Sequence, residues 1–429
     1  MIRKIVITIL CFIAVEAYAQ EGTASPYSLF GVGELSSVRT AENQMMGGIG
    51  IYADSIHANL NNPAAYSKLG IKAGEDFGIT VYTAGVSFKQ LTLKNVTSQE
   101  STSVTNLDYL SIALSLKEGL GVGFGITPYS SLGYSIVSET TNDRGGTVTN
   151  FFDGTGGLTR VYFSTGYEIV KNLSIGATLN FNFGTLENNR LQVDEDVQFG
   201  IQDNRQSRVN GFDFNYALNY TPKINDKYRL HSSIRVNTQG NLTARNTRDV
   251  GSISNLTGQD IESRDVDLTS QGLVNTDLRI PTTSTIGLGI GQDLKWFIGA
   301  EYSQQGLSSF TNDFFELDNV VYEDASTIAF GGFYVPNYSS FSSYLSRVTY
   351  RAGARFEKTG IIVNDTSIDN FGITFGVGLP LSGSFSNVNL GFEYGQRGTT
   401  DANLIEENYF KVNLGLSLND LWFRKRKIN

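Results

Sequence analysis

The chain has 429 residues, a formal net charge of −9 and only 17% charged residues, with 46 Gly, 27 Phe and 21 Tyr beside 7 Pro. An acidic balance of this kind excludes nucleic acid as a partner, because nucleic acid needs a basic face. One cysteine and two histidines leave no thiolate framework for zinc or disulfides and no Ser-His-Asp constellation, so no enzyme activity, no metal and no cofactor is expected.

In chain order, Arg3 and Lys4 precede an apolar run over residues 5–15, and Ala17, Tyr18 and Ala19 form a small-x-small cleavage site. This pattern predicts a secretory signal peptide over 1–19. The run is shorter than the roughly 18 residues a spanning helix needs. Cys11 lies inside it, so the exported chain carries no thiol.

Residues 20–76 differ from everything after them. They are rich in Gly, Ala, Ser and Asn and show no clean alternation. The segment 61–65, Asn-Asn-Pro-Ala-Ala, reads as a turn into a helical stub, because Pro63 fixes its own φ and restricts Asn62. The segment is compact and is expected to be tethered on the periplasmic side.

From residue 77 to 420 the period is two. Leu173, Ile175, Leu179, Phe181 and Phe183 alternate with Ser174, Thr178, Asn180 and Asn182, and Phe410, Val412, Leu414, Leu416 and Leu418 alternate with Lys411, Asn413 and Ser417. Side chains on a strand alternate faces, so each such stretch has an apolar and a wet side. Repetition of this pattern behind a secretion signal predicts an antiparallel transmembrane β-barrel, whose closure removes the edges that lipid cannot satisfy. Thirteen strands are plain in the sequence. Single-chain bacterial barrels have even numbers, with short periplasmic turns alternating with longer outer loops. That alternation fails only between 302 and 348, and a strand over 326–334 restores it. The expectation is a fourteen-stranded barrel with residues 20–76 as a plug in its lumen, both chain ends on the periplasmic side, and a short basic periplasmic tail over 421–429. The stretches 237–284 and 303–325 read as long outer loops.

Pro128 falls within the third strand, where it removes a ladder donor and is expected to kink or bulge the wall. Glu168, Asp213, Arg235, Glu301, Arg351, Arg355, Glu393 and Lys411 project to the polar face, either as a wet lining or as partners for the plug. Phe310, Phe314, Phe315, Phe330, Phe333 and Tyr334 are candidates for an outer apolar pocket; the competing reading is an interfacial aromatic belt. The acidic runs around 194–196 and 260–267 read as solvated loops, and Gly121, Gly123 and Gly125 alternate as a strand rather than as a phosphate loop.

Residues 46–55, Met-Gly-Gly-Ile-Gly-Ile-Tyr-Ala-Asp-Ser, followed by 61–67, Asn-Asn-Pro-Ala-Ala-Tyr-Ser, resemble the N-terminal hatch of the FadL-like outer-membrane transport proteins. The Ser-Pro-Tyr-Ser-Leu-Phe-Gly segment at 25–31 and the Trp-Phe-Arg-Lys-Arg-Lys tail at 422–427 are similar to the version found in the Bacteroidetes. The resemblance implies a monomeric channel in the outer membrane of a Gram-negative bacterium, surrounded by its lipid and lipopolysaccharide. Long-chain fatty acids or aromatic hydrocarbons would diffuse past the hatch and leave sideways through a kinked strand. It also implies that Gly47, Gly48, Gly50, Asp54, Asn61, Asn62, Pro63 and Ala64 shape the hatch and the inner ligand gate. The alternative it leaves open is a non-transporting accessory subunit of a barrel-assembly or type IX secretion machine, with protein partners in the outer membrane or periplasm.

Overall fold

The computed structural model describes residues 22–36, 38–73, 76–315, 317, 319–381 and 385–420. The expected signal peptide and the basic tail lie outside the described residues.

The chain after the first segment is inside-out relative to a soluble protein. In the strand Phe199–Tyr220, Phe212 is 55% and Tyr216 50% exposed, whereas the intervening Asp213 and Asn215 are each only 6% exposed. Apolar side chains face outward all round the wall, and polar ones are packed within. That arrangement is favourable only where the outside is lipid, so the molecule is built as an outer-membrane barrel.

Fourteen strands make the wall. They are β1 (Thr80–Lys94), β2 (Gln99–Lys117), β3 (Leu120–Thr141), β4 (Thr147–Val170), β5 (Leu173–Asp194) and β6 (Phe199–Tyr220). Then come β7 (Arg229–Asn237, resuming as Gly240–Ser254), β8 (Asn275–Ile280, resuming as Thr283–Gln292), β9 (Trp296–Gln305) and β10 (Ala325–Tyr334). The wall ends with β11 (Thr349–Val363), β12 (Thr366–Pro380), β13 (Asn387–Arg397) and β14 (Glu406–Asp420). Each pairs antiparallel with its neighbours, and β14 closes on β1 from Glu406↔Lys94 to Asp420↔Thr80. The strand expected over 326–334 is β10.

The stretch 237–284 is not a loop. Residues 240–254 and 275–280 continue β7 and β8 after short interruptions at 238–239 and 281–282, and Asp260–Asp265 hairpins back on β7. The wall is therefore uneven: β4 has 24 residues and β10 only 10. At roughly 3.3 Å per residue, the long side stands well beyond an apolar band about 25 Å tall.

Residues 22–71 touch inward-facing groups from nearly the whole circumference. Ala41 N donates to Tyr109 Oη on β2 (3.0 Å), Gly47 N to Thr374 Oγ1 on β12 (2.9 Å), Gly50 N to Glu301 Oε1 on β9 (2.9 Å), and Ser67 Oγ to Ser174 Oγ on β5 (2.7 Å). The segment thus fills the bore. Its described start lies at the outer end rather than the periplasmic one: Ser25 Oγ donates to Glu407, and Tyr27 Oη donates to Ile405 O, both where β14 leaves its outer loop. From there it descends to the periplasmic end, where it enters β1.

Wall glycines set how closely the plug seats. A Cβ on Gly353 would lie 2.2 Å from Gly47 N and 2.3 Å from Met46 C. Gly47 itself has φ +67°, a left-handed conformation that glycine adopts without strain.

Candidate functional site

Among the described residues, the wall parts between β2 and β3. β2 and β3 pair from Lys117↔Leu120 only as far as Leu110↔Ile126. Beyond that, β3 keeps β4 on one side through to Thr141, and β2 keeps β1 through to Gln99. The β3–β4 register shifts between Pro128 and Ser130, leaving Tyr129 as an extra residue. Proline has no N–H to give a ladder, and a bulged strand bends, so β3 leaves its neighbour at this point.

The plug occupies the parting. Glu34 and Leu35 form a two-residue strand antiparallel to β3, with Glu34↔Ser131 and Leu35↔Ser130. Ser36 N donates to Tyr129 O (2.9 Å), and from the β2 side Asn106 Nδ2 donates to Gly22 O (2.8 Å).

Behind the parting lies a polar cavity of about 170 Å³, bounded at the wall by Asn106, Asp108, Pro128 and Ser131. Glu34 bridges Lys89 (3.2 Å) and Arg397 (3.0 Å), tying plug to wall. Burial opposes ionisation of Glu34, but Lys89 and Arg397 outweigh it and hold the carboxyl well below the usual carboxylate range. Across the cavity Arg355 binds Glu393 at 2.8 Å. Arg39, from the plug, lines the same space and makes no ion pair among the described residues.

An apolar cavity of about 130 Å³ adjoins it on the outer side and shares Glu34, Leu35, Glu357 and Arg397 in its lining. Tyr27 and Phe30 of the plug face Phe310, Tyr322, Ile361 and Ile368 across it, with Phe310 and Tyr322 edge to face at 5.1 Å. Of the six aromatics picked out in the sequence for an outer pocket, only Phe310 lines this space. Phe314 is buried beneath Arg205, which donates to its carbonyl (3.3 Å), and Phe315 lies under the same guanidinium. Phe330 and Tyr334 point outward on β10, about half exposed on the lipid side, so they belong to the belt instead. Phe333 points inward at the periplasmic end, where it meets Tyr52 edge-on at 4.8 Å beside Phe297.

The hatch motif forms the floor. Asn59 and Asn62 both donate to Gly50 O (2.8 and 3.1 Å), and Asn62 Nδ2 also donates to Asn219 on β6 (3.0 Å). Asn215 Nδ2 donates to Asn61 O at 3.4 Å. Pro63 opens a 3₁₀ turn, Pro63–Lys68, and Ala64 is fully buried against Gly176 of β5. The Gly48 backbone lies against the Arg39 guanidinium, at φ +87°. Asp54 accepts from Ile56 N and His57 N, and its Oδ2 lies 2.7 Å from His57 Nδ1. Burial disfavours both charges, yet each partner stabilises the other: His57 is raised above its ordinary value and Asp54 lowered.

The polar-face charges fall into two groups. Lys68 of the plug binds Glu168 at 2.9 Å, and Gly50 docks on Glu301, which Arg235 holds at 2.5 Å. Arg160 with Asp213, by contrast, is a wall-to-wall pair. Arg160 and Glu34, both central to the packing, were missed in the sequence. Arg160's inward parity on β4 was the available signal; a two-residue strand such as Glu34–Leu35 leaves no periodicity to find.

Several solved channels share this fold. A toluene transporter, TodX from Pseudomonas putida, matches with TM-score 0.57 and 14% identity over 91% of this chain and 99% of its own. The CymD monoaromatic hydrocarbon channel gives 0.55 and 15%, over 92% and 100%. A Pseudomonas aeruginosa FadL homologue gives 0.55 and 11%, over 90% and 99%. These are channels rather than enzymes, and at such identities the likeness speaks to the fold. No curated protein matches the chain in sequence. The family described as BamG matches it from residue 1 to residue 429, and the chain belongs to that family.

Proposed function

We propose that this barrel is an outer-membrane conduit that takes hydrophobic or amphiphilic small molecules from outside and releases them sideways into the membrane between β2 and β3. The observation that carries the reading is the parting of the wall beyond Ile126, with the polar cavity directly behind it and the apolar cavity next above. In this reading Phe310 marks the outer site, with Phe314 and Phe315 at its approach. Pro128 makes the wall kink, and Gly47, Gly48, Gly50, Asp54, Asn61, Asn62, Pro63 and Ala64 form the hatch, which ends near residue 76. The ligand class is a long-chain fatty acid or an aromatic hydrocarbon; two of the similar channels are a toluene transporter and a monoaromatic hydrocarbon channel. The opening at 25–31 favours a Bacteroidetes-type member. Uptake of labelled oleate and of toluene into vesicles carrying the pure barrel tests this: uptake no faster than through empty vesicles would refute it.

A second reading is a non-transporting subunit of an outer-membrane assembly or secretion complex. Two observations favour it. The family match runs the full length, and the two cavities, about 170 and 130 Å³, fall short of the roughly 300–1,000 Å³ of ordinary ligand pockets. The tall side of the wall, β3 to β7, would then be the contact surface. Stoichiometric partners after mild solubilisation, with no uptake, would select this reading.

A further inference from the structure

We propose that the polar cavity behind the β2–β3 parting is a binding site for the compact oxyanion head, carboxylate or phosphate, of an amphiphile whose alkyl chain lies out through the parting. This deepens the conduit reading and rests on it for the route of the chain, though not for the head site.

The charge count comes first. Five cationic side chains face four carboxylates in the lining. Existing pairs use all four carboxylates: Glu34 of the plug serves Lys89 and Arg397, Glu393 serves Arg355, Glu357 lies 3.9 Å from Arg355 Nε, and Asp108 lies 4.0 Å from Lys411. Arg39 is left over. Burial, with Arg355 and Arg235 as like-charged neighbours, outweighs the pull of Glu301 and Glu357 and brings its guanidinium down to about 10.

Hydrogen-bond capacity comes second. Arg355 Nε and Arg397 Nε are both buried without a hydrogen-bond partner. Buried donors of this kind are ordinarily satisfied, and an orphaned one costs about 1–3 kcal/mol. A guanidinium fork fits carboxylate and phosphate oxygens, and three guanidinia border this one space.

Size and position then select the ligand. The cavity holds a compact head and is too small and too polar for an alkyl chain. Its lining includes residues from both sides of the parting, Asn106 and Asp108 on β2 and Pro128 and Ser131 on β3, so a chain attached to that head reaches the bilayer when Glu34–Leu35 gives up its pairing with β3. A neutral hydrocarbon accepts no hydrogen bond from these guanidinia.

The test uses the full barrel in nanodiscs of zwitterionic lipid, titrated calorimetrically with dodecyl phosphate, dodecanoate, dodecanol and inorganic phosphate. The expected result is that both anionic amphiphiles bind at least tenfold more tightly than dodecanol or inorganic phosphate. Arg39→Gln should weaken the anionic amphiphiles about tenfold or more and leave dodecanol unchanged, the size of one charge-assisted hydrogen bond. Arg39→Lys should recover part of the loss, which a misfolded plug would not. Dodecanol binding as tightly as dodecyl phosphate, or indifference to Arg39→Gln, overturns the head site. Inorganic phosphate binding as tightly as dodecyl phosphate removes the chain from the proposal. Arg39-dependent binding without vesicle uptake would sink the conduit and keep the site; uptake without Arg39-dependent binding would do the reverse.

Discussion

The Arg235–Glu301 pair offers a quantitative test of how the plug is held. Both side chains are about 5% exposed, and their closest N···O distance is 2.5 Å. Glu301 also accepts from Gly50 N of the plug (2.9 Å), so one carboxylate serves wall and plug together. Glu301→Leu leaves Arg235 charged and buried with no counter-ion, at a cost of about 3–5 kcal/mol. It also orphans the Gly50 N–H. Replacing both residues by Leu removes the buried charge and leaves only that N–H unsatisfied, at about 1–3 kcal/mol. The readout is plug opening, followed by thiol labelling of Ala58→Cys, which is buried at the periplasmic end of the plug. With 1.4 kcal/mol per factor of ten, Glu301→Leu should speed labelling by about 10²–10⁴-fold and the double variant by only about 5–100-fold. Equal rates in the single and double variants, or no acceleration in the single, would refute the argument that a stranded charge, rather than lost packing, dominates.

Other outcomes follow from the same geometry. Gly353→Val drives a side chain into the backbone at Met46 and Gly47, which cannot swing aside; an overpacking cost of about 1–3 kcal/mol should raise Ala58→Cys labelling while the barrel still resists SDS unheated. Phe330→Ala, on the lipid face, should change neither labelling nor uptake. The Asp54–His57 clasp should be pH-dependent. Because His57 is raised, its contribution is complete below about pH 6.5 and is lost as pH rises through the folded value; because Asp54 is lowered, its own contribution is present above about pH 4 and lost on acidification. Labelling, corrected for thiol ionisation, should therefore quicken from pH 6.5 to pH 9 in the parent and hardly at all in His57→Ala.

The wall was legible because lipid and lumen impose opposite chemistries on alternate residues, a signal as regular as Phe212 to Tyr220. The strand count followed from turn lengths, and β10 was found from the single failure of their alternation. The continuation of β7 and β8 was not legible. The interruptions at 238–239 and 281–282 look like strand ends, and the wall beyond the bilayer no longer has to alternate against lipid: in β7, residues 248–254 are all half-buried, on both faces alike. The aromatic pocket was misjudged for a related reason. Parity alone puts Phe330 outside and Phe333 inside, but depth decides whether an inward Phe meets a ligand or the plug, and Phe333 lies at the end where Tyr52 covers it. The plug's motif stood out in the sequence, whereas its course did not, because contacts such as Asn62 to Asn219 join residues 157 apart.

The most direct test locks the plug's strand into the parting. Leu35 and Ser130 lie opposite each other in an antiparallel pair, a geometry whose Cα separation of about 4.5–5.5 Å suits a disulfide. In a Cys11→Ser background, Leu35→Cys with Ser130→Cys supplies the only thiols. Oxidised barrels should lose vesicle uptake of labelled oleate and regain it on reduction. Equal uptake in the oxidised and reduced states would contradict a sideways route between β2 and β3.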